Sequence, residues 1–248
     1  MKKISILTLS LALSTGFANA AIVLQDDAVF MDGGKDTITD AEIGGLDVTT
    51  GDKLVVTIGF EGDNDGPDST VTYNSQNMTL AASNVGLNGT NPSGWIGIYY
   101  LDNISTVGAG TLDFTNGGYS AGVSFMVLSG TASGVGNVNS ANATTLNLNV
   151  SADSFMVAAF GDTTDLAVTV DSPLTKLLDS DELPGNDGSA SYGTGYQLIS
   201  SAGTATPSFT SSSSRPNMVA AEFTAVPEPS TILLLGALGS LVFLRRRR

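Results

Sequence analysis

The sequence predicts an all-β protein, an antiparallel two-sheet β-sandwich with a jelly-roll-like arrangement. First, residues 21–225 are rich in Gly, Ser, Thr, Asn and Val and poor in Lys, Glu and Leu. That composition opposes long helices and favours strands joined by turns. Second, apolar and polar residues alternate in short segments about ten residues apart, as in the sequence TLNLNV at 145–150. Such spacing is typical of a sandwich. The sequence lacks the alternation of strands and helices that would indicate a parallel sheet.

The expected strands follow one another along the whole of this region. Two of them, KLVVTIGF and SFMVAAF, are almost continuously apolar and are predicted to be central strands buried on both faces. The full set comprises Ala21–Met31, Lys53–Glu61, Thr70–Tyr73, Met78–Ala82, Trp95–Leu101, Thr111–Thr115, Ala121–Leu128, Thr144–Val150, Phe155–Phe160, Leu166–Val170, Gly195–Ser200 and Met218–Phe223.

Short polar segments connect these strands. The sequence NSQN at 74–77 is short enough to close a hairpin between Tyr73 and Met78. The sequence NGG at 116–118 predicts a turn. Leucines at helical spacing predict one short helix at Ser172–Asp179, and Ser208–Ser214 is expected to be a low-complexity loop or a mobile edge.

The first 20 residues have the pattern of a secretory signal peptide. Two lysines precede the apolar run Ile4–Leu13, and Ala18 and Ala20 form a small-x-small site for signal peptidase. We therefore expect export across the inner membrane and cleavage after Ala20. The three expected regions are the signal peptide at 1–20, the β-sandwich at 21–225 and a C-terminal segment at 226–248.

The C-terminal segment has three parts. A rigid Pro-Glu-Pro is followed by the apolar run Thr231–Leu244, and four arginines end the sequence. The run is expected to be a transmembrane helix with its arginines on the cytoplasmic side. At ~1.5 Å per residue it would span roughly 20 Å, less than the ~30 Å hydrocarbon core of a bilayer. It therefore suits a temporary anchor, and a plain permanent anchor is the alternative.

This segment closely resembles the PEP-CTERM sorting signal of Gram-negative bacteria. The resemblance depends on the apolar run together with Pro227, Glu228, Pro229, Arg245, Arg246, Arg247 and Arg248. It implies recognition by exosortase, a membrane enzyme that would cut near Pro-Glu-Pro. The chain would be anchored transiently in the inner membrane and would then reach the cell surface or the extracellular matrix. The resemblance to the sorting signal implies nothing about an activity of residues 21–225.

A second resemblance concerns the predicted sandwich. This region resembles a sandwich domain found in other PEP-CTERM proteins and bacterial surface proteins. The resemblance depends on the following segments in this order: TVTYNSQNMTLAAS, GIYYLDN, GTLDFT, SFMVAAFGD, GYQLISSAGTATPSF and PNMVAAEF. The likeness covers about Leu54–Phe223. It implies a fold and no assigned activity.

Charge and composition exclude several classes of function. Residues 21–225 carry 23 acidic and 4 basic residues, a net charge of −19, which repels nucleic acid. The chain has no cysteine and no histidine. It therefore has no disulfides, no His-ligated zinc, and neither a Ser-His-Asp nor a Cys-His nucleophile. No cofactor is expected, and Ca²⁺ is the one candidate that the acidic clusters offer.

The densest acidic cluster is EGDNDGPDS at 61–69. Its carboxylates at alternate positions before a glycine match the first half of a calcium loop, but the closing glutamate is absent, so it is no EF-hand. The candidate ligands are Glu61, Asp63, Asp65 and Asp68, and the alternative is a solvated acidic turn. Asp179, Asp181, Glu182 and Asp187 form a weaker second cluster.

One aromatic pair is a candidate for glycan binding. In the sequence SGWIGIYYLD, period two places Trp95 and Tyr99 on one strand face, where open rings could stack on sugars. The alternative is core packing.

Catalysis by carboxylates alone would require two acids about 5–9 Å apart. The acids near strands are Asp102, Asp113, Asp153 and Glu222, and their spacing selects no such pair. The leading hypothesis is therefore a non-catalytic, structural or adhesive protein of the cell surface or exopolysaccharide matrix. A carbohydrate-binding module, with or without Ca²⁺, and a carboxylate glycoside hydrolase are the alternatives.

Overall fold

The computed structural model describes residues 20–33, 37–39, 42–60, 66–67, 69–88, 91–104, 110–114, 120–162, 168–180, 191–212 and 215–227. Residues Ala21–Val226 form one compact unit. A second unit comprises Met1–Ala20 and Pro227–Arg248, of which only Ala20 and Pro227 are described. In the described ranges, no helix is both long enough and apolar enough to span a bilayer. The predicted apolar runs at 4–13 and 231–244 lie outside those ranges.

Two five-stranded antiparallel sheets form the centre of the unit. Sheet A has the order β1 (Val23–Gly33), β9 (Ser120–Ser129), β3 (Lys53–Phe60), β7 (Asn91–Leu101) and β6 (Thr79–Asn88). Sheet B has the order β10 (Val138–Ala141), β18 (Asn217–Thr224), β12 (Ser154–Asp162), β15 (Ser191–Ile199) and β14 (Thr175–Ser180). The prediction of an all-β, antiparallel protein is confirmed.

Within the ranges that the structure describes, three smaller sheets accompany sheets A and B. Sheet C contains β2 (Thr37–Thr39), β8 (Thr111–Asp113), β4 (Thr72–Tyr73) and β5 (Gln76–Asn77). Two-stranded sheets pair β11 (Leu148–Val150) with β16 (Gly203–Ala205), and β13 (Thr169–Val170) with β17 (Phe209–Thr210).

The order of the strands corrects the jelly-roll expectation. Every strand of sheet A precedes residue 130, and every strand of sheet B follows residue 137. A jelly roll requires a chain that passes repeatedly between its two sheets, whereas here each half of the chain builds its own sheet. The chain passes from sheet A to sheet B through residues 130–137.

Apolar side chains pack on both faces of each large sheet. One cluster lies between sheets A and B and includes Val55, Ile98, Phe155 and Phe223. The opposite face of sheet A packs against sheet C and residues 43–48, and the opposite face of sheet B packs against the two-stranded sheets. Strands β3 and β12 occupy the middle of their sheets, and their described side chains are buried throughout. The prediction that these two strands are central is confirmed.

The apolar layer between the large sheets also contains hydroxyl groups. The Thr57 hydroxyl lies 2.5 Å from that of Ser124 and 3.1 Å from that of Thr194. The buried ring of Tyr192 lies against Gly59, where an added Cβ would fall 2.0 Å from a ring carbon. Glycine at position 59 therefore makes room for an aromatic ring between the sheets.

The predicted helix at Ser172–Asp179 is wrong, because Thr175–Ser180 is strand β14. This strand pairs with β15, and an irregularity between Lys176 and Leu178 breaks the regular alternation of its side chains. Leu174, just before the strand, packs outside sheet B, while Leu177 packs between the large sheets. Strand pairing here outweighs a local helical spacing.

The hairpin near residue 75 is tighter than the sequence predicts. Tyr73 pairs with Gln76, and Asn74 and Ser75 form a two-residue turn with φ of 49° and 63°. Asparagine tolerates this left-handed conformation better than most residues, and such turns suit the twist of a hairpin. The turn predicted at 116–118 lies outside the described residues. The expected loop at Ser208–Ser214 contains β17, with Phe209 buried.

Candidate functional site

The chain passes between the two large sheets through the crossing segment, Gly130–Asn137. Its backbone runs alongside β18: the Ala132 amide donates to the Thr224 carbonyl at 2.8 Å, and the Gly136 amide donates to the Glu222 carbonyl at 2.7 Å. The crossing segment therefore extends the edge of sheet B. It also receives two buried charged side chains, one from each large sheet.

The first charged group is Lys53, at the start of β3. Its side chain is 2% exposed, its ammonium lies 2.8 Å from Asp102 Oδ1, and it also donates to the Gly134 carbonyl. The same ammonium lies 4.9 Å from the ring centre of Tyr100 and 5.1 Å from that of Phe223. Burial lowers the pKa of Lys53, and the hydrogen bond and opposite charge of Asp102 partly offset this effect. The ion pair joins the end of sheet A to the crossing segment.

The Asp102 carboxylate has partners besides Lys53. Its Oδ2 accepts hydrogen bonds from the Gly134 amide at 2.7 Å and the Ser133 hydroxyl at 3.1 Å. Both of its oxygens are therefore engaged within the protein.

The second charged group is Glu222, on β18, which is fully buried. Its carboxylate accepts hydrogen bonds from the Ser151 amide and from Asn137, whose amide and side-chain nitrogens lie at 3.1 and 3.2 Å. Burial alone would raise the pKa of Glu222, but hydrogen bonds from Ser151, Asn137 and Ser154 outweigh it and lower the pKa. The group is ionised at neutral pH, unlike the raised-pKa acid that glycoside hydrolysis requires.

Both ends of the compact unit meet the crossing segment at Gly130. The Val226 amide donates to the Gly130 carbonyl at 3.0 Å, and Thr131 pairs with Ala225 in an antiparallel bridge. The carbonyl of Ala21 also lies against Gly130, which has a φ of 74°. The first residue after the expected leader and the last residue before Pro227 are therefore neighbours in space.

The predicted glycan-binding pair requires a correction. Trp95 is 3% exposed and Tyr99 is 7% exposed, and both belong to the cluster outside sheet A. The Trp95 ring stacks on Phe60 with 5.5 Å between ring centres, and burial raises the pKa of Tyr99 to about 12. The rings form no open face on which a sugar could stack, because the core covers them. Their placement matches the packing alternative.

The candidate calcium ligands Glu61, Asp63, Asp65 and Asp68 lie outside the described residues. In the second acidic cluster, the backbone of Asp179 is described as part of β14. Asp181, Glu182 and Asp187 lie outside the described residues. Across the described part of the chain, no group of three or more acidic residues is arranged to hold a metal ion.

The candidate catalytic carboxylates lie on different elements, and three of them hold neighbouring elements in place. Asp102 pairs with Lys53, Asp113 accepts a hydrogen bond from the Thr37 hydroxyl at 2.9 Å in sheet C, and Glu222 holds the crossing segment. Asp153 is exposed in the turn before β12, with a φ of 55°.

Two adjoining clefts flank Leu198, whose side chain is 62% exposed. A cleft of about 200 Å³ lies towards β11 and β16, and another of about 270 Å³ lies towards Ala21 and Ile22. No sequence pattern indicates these clefts, because their walls come from segments far apart in the chain.

Of the expected sorting and cleavage residues, Pro227 is described and exposed, and Ala20 is half-buried. Ala18, Glu228, Pro229 and Arg245–Arg248 lie outside the described residues.

Comparison with known proteins matches one part of the chain. Residues 225–248 match the family model of the PEP-CTERM protein-sorting motif. No curated protein matches the chain, and no solved structure does. The motif implies that exosortase is a processing partner, and that the chain is exported with a sorting signal that is processed towards the cell surface. Residues 225–248 therefore carry a PEP-CTERM protein-sorting motif, the feature that marks PEP-CTERM proteins.

Proposed function

We propose that this chain is a non-catalytic, structural or adhesive protein of the cell surface or the exopolysaccharide matrix. The observation that carries the proposal is the PEP-CTERM motif at residues 225–248, which begins within the last two residues of a compact β-sandwich unit. Signal peptidase removes residues 1–20, and the apolar run at 231–244 spans the inner membrane as a short helix. Exosortase then separates the sandwich from this anchor.

The placement of the buried charged side chains supports a structural role. Lys53, Asp102 and Glu222 use their hydrogen-bonding groups on partners within the protein, and those partners lie in or beside the crossing segment. Because these charged groups bind the segment that connects sheets A and B, they hold the two sheets in a fixed position relative to each other. A catalytic carboxylate would instead face a substrate-sized opening with a pKa matched to proton transfer.

The acidic composition suits an extracellular matrix. With 23 acidic and 4 basic residues at 21–225, the surface attracts cations and water and keeps the protein soluble at high concentration. In this proposal the sandwich occupies the exopolysaccharide layer, where those cations link it to anionic chains.

Comparing the full-length chain in cells with and without exosortase tests the proposal. In cells with the enzyme, the protein should appear at the surface or in the medium without its terminal arginines. In cells without the enzyme, the longer form should remain in the membrane fraction. In cells that have the enzyme, the double variant Pro227→Ala with Pro229→Ala should remain in the membrane fraction as the longer form. The control variant, Pro216→Ala, should be trimmed like wild type. Identical forms in both strains would contradict the proposal, and so would turnover of a glycan by the purified chain.

A further inference from the structure

The last residues of the compact unit are paired right up to Pro227, the first residue of Pro-Glu-Pro. Ala132 donates to Thr224, Thr131 bridges to Ala225, and the Val226 amide donates to Gly130 at 3.0 Å. Pro227 is the next residue in the chain. We call this pairing of Gly130–Ala132 with Thr224–Val226 the latch. It leaves no unpaired linker between the sandwich and Pro227.

Buried apolar groups and close packing secure the latch. Ile22 and Ala225 are 8% and 7% exposed and belong to the cluster between the large sheets. At Gly130, an added Cβ would lie 2.4 Å from the carbonyl oxygen of Ala21. The pairing is therefore part of the folded structure and joins both ends of the unit.

A processing enzyme generally binds its substrate as an extended chain on both sides of the bond that it cuts. Residues 224–226 cannot enter such a site while their backbone groups pair with the crossing segment. We propose that the latch limits processing: exosortase cuts near Pro-Glu-Pro only when Thr224–Val226 separate from Gly130–Ala132. This inference rests on the proposed function. The cut breaks one peptide bond: water or the amine of an acceptor molecule adds to the carbonyl carbon, and the C-terminal segment leaves with a new amino terminus that takes up the proton.

Strand ends open locally at a lower free energy than the core, so separation of three residues does not require unfolding of the sandwich. The latch would set the rate of processing without preventing it. It would also keep the mature C-terminal end attached to sheet B after the cut.

A disulfide across the latch tests the proposal directly. The chain has no cysteine, so Thr131→Cys with Ala225→Cys introduces one defined pair at positions that are already bridged. In pulse-labelled cells, the oxidised full-length variant should be processed at least about tenfold more slowly than wild type, and a reductant should restore the rate. Each single-cysteine variant is a matched control. Wild-type processing of the oxidised variant would overturn the proposal.

Insertion of Gly-Ser-Gly-Ser between Val226 and Pro227 tests the same point in the opposite direction and leaves the sandwich intact. The flexible linker moves the motif away from the latch, so processing should accelerate by roughly threefold or more, and the disulfide should no longer slow it. An unchanged or slower rate would overturn the proposal. If wild type is never cut, the proposed function itself fails. If all variants are cut equally, only the latch proposal fails.

Discussion

The crossing segment and the aromatic cluster around Trp95 stabilise the same sandwich by different means. In the aromatic cluster, Phe60 packs against Trp95 and Phe114 with 5.5 and 5.6 Å between ring centres. The crossing segment instead depends on Lys53 and Glu222, two buried charges with internal partners. Apolar packing is independent of ionisation, whereas a buried charge requires its partner and its protonation state. The aromatic cluster should therefore stabilise the fold at any pH, and the buried charges should hold the crossing segment in place at neutral pH.

The largest effect is expected in the aromatic cluster. Trp95→Ala should lower the free energy of unfolding by about 3–5 kcal/mol, because it leaves a cavity against Phe60 and Tyr99. Denaturant unfolding at pH 5 and pH 8 should give the same loss. Leu198→Ala, at a 62% exposed side chain, is the control and should change stability by no more than about 0.5 kcal/mol. A stable Trp95→Ala protein that lost glycan binding would contradict the packing role.

Removal of the partner of Lys53 should give the next largest effect. Asp102→Ala leaves a 2% exposed ammonium without its counter-ion and should cost about 3 kcal/mol at pH 7. Lys176→Met, at an exposed lysine of β14, is the matched control and should be nearly neutral. If both variants unfold at the same denaturant concentration as wild type, the ion pair does not hold the crossing segment.

Glu222→Gln should reveal the pH dependence of the second region. The pKa of Glu222 is lowered in the folded protein, so its contribution is complete above the unfolded value of about 4.3 and is lost as the pH falls through the folded pKa. The variant should be about 2 kcal/mol less stable than wild type at pH 7. This difference should shrink below about pH 4.3. A difference that stayed constant from pH 7 to pH 3 would indicate a purely steric effect.

Gly130→Ala should produce the smallest effect of the four. The new Cβ would contact the Ala21 carbonyl, whereas Gly44→Ala places a Cβ in open space at a similar φ of 82°. The two substitutions share the cost of a left-handed backbone, so Gly130→Ala should be about 1 kcal/mol more destabilising than its control. Equal melting temperatures would show that the ends of the unit do not close on Gly130.

The sequence predicts the fold class because local patterns are sufficient for it. Strands β3 and β12 are almost continuously apolar, and a strand of that kind is buried where both faces of its sheet are covered. The helix predicted at Ser172–Asp179 failed because β15 offers a pairing partner that local spacing does not reveal. The jelly-roll order failed for the same reason, since strand order depends on contacts between distant segments.

The polar contacts of the crossing segment could not be predicted from the sequence. Lys53 opens an apolar strand and therefore resembles an ordinary charged strand end. Its partner Asp102 is 49 positions away, and the Gly134 carbonyl is 81 positions away. The burial of Trp95 depends on Phe60 and on sheet C, which also come from distant segments. The PEP-CTERM motif was predictable because it is contiguous.

The claim that the chain is exported and cut at both ends is tested most directly by the intact mass of the protein recovered from the surface or medium of native cells. We expect one species that begins at Ala21 and ends near Pro-Glu-Pro, without the apolar run and without Arg245–Arg248. A mature protein that retains those arginines or the first 20 residues, or that is recovered only from the cytosol, would contradict it.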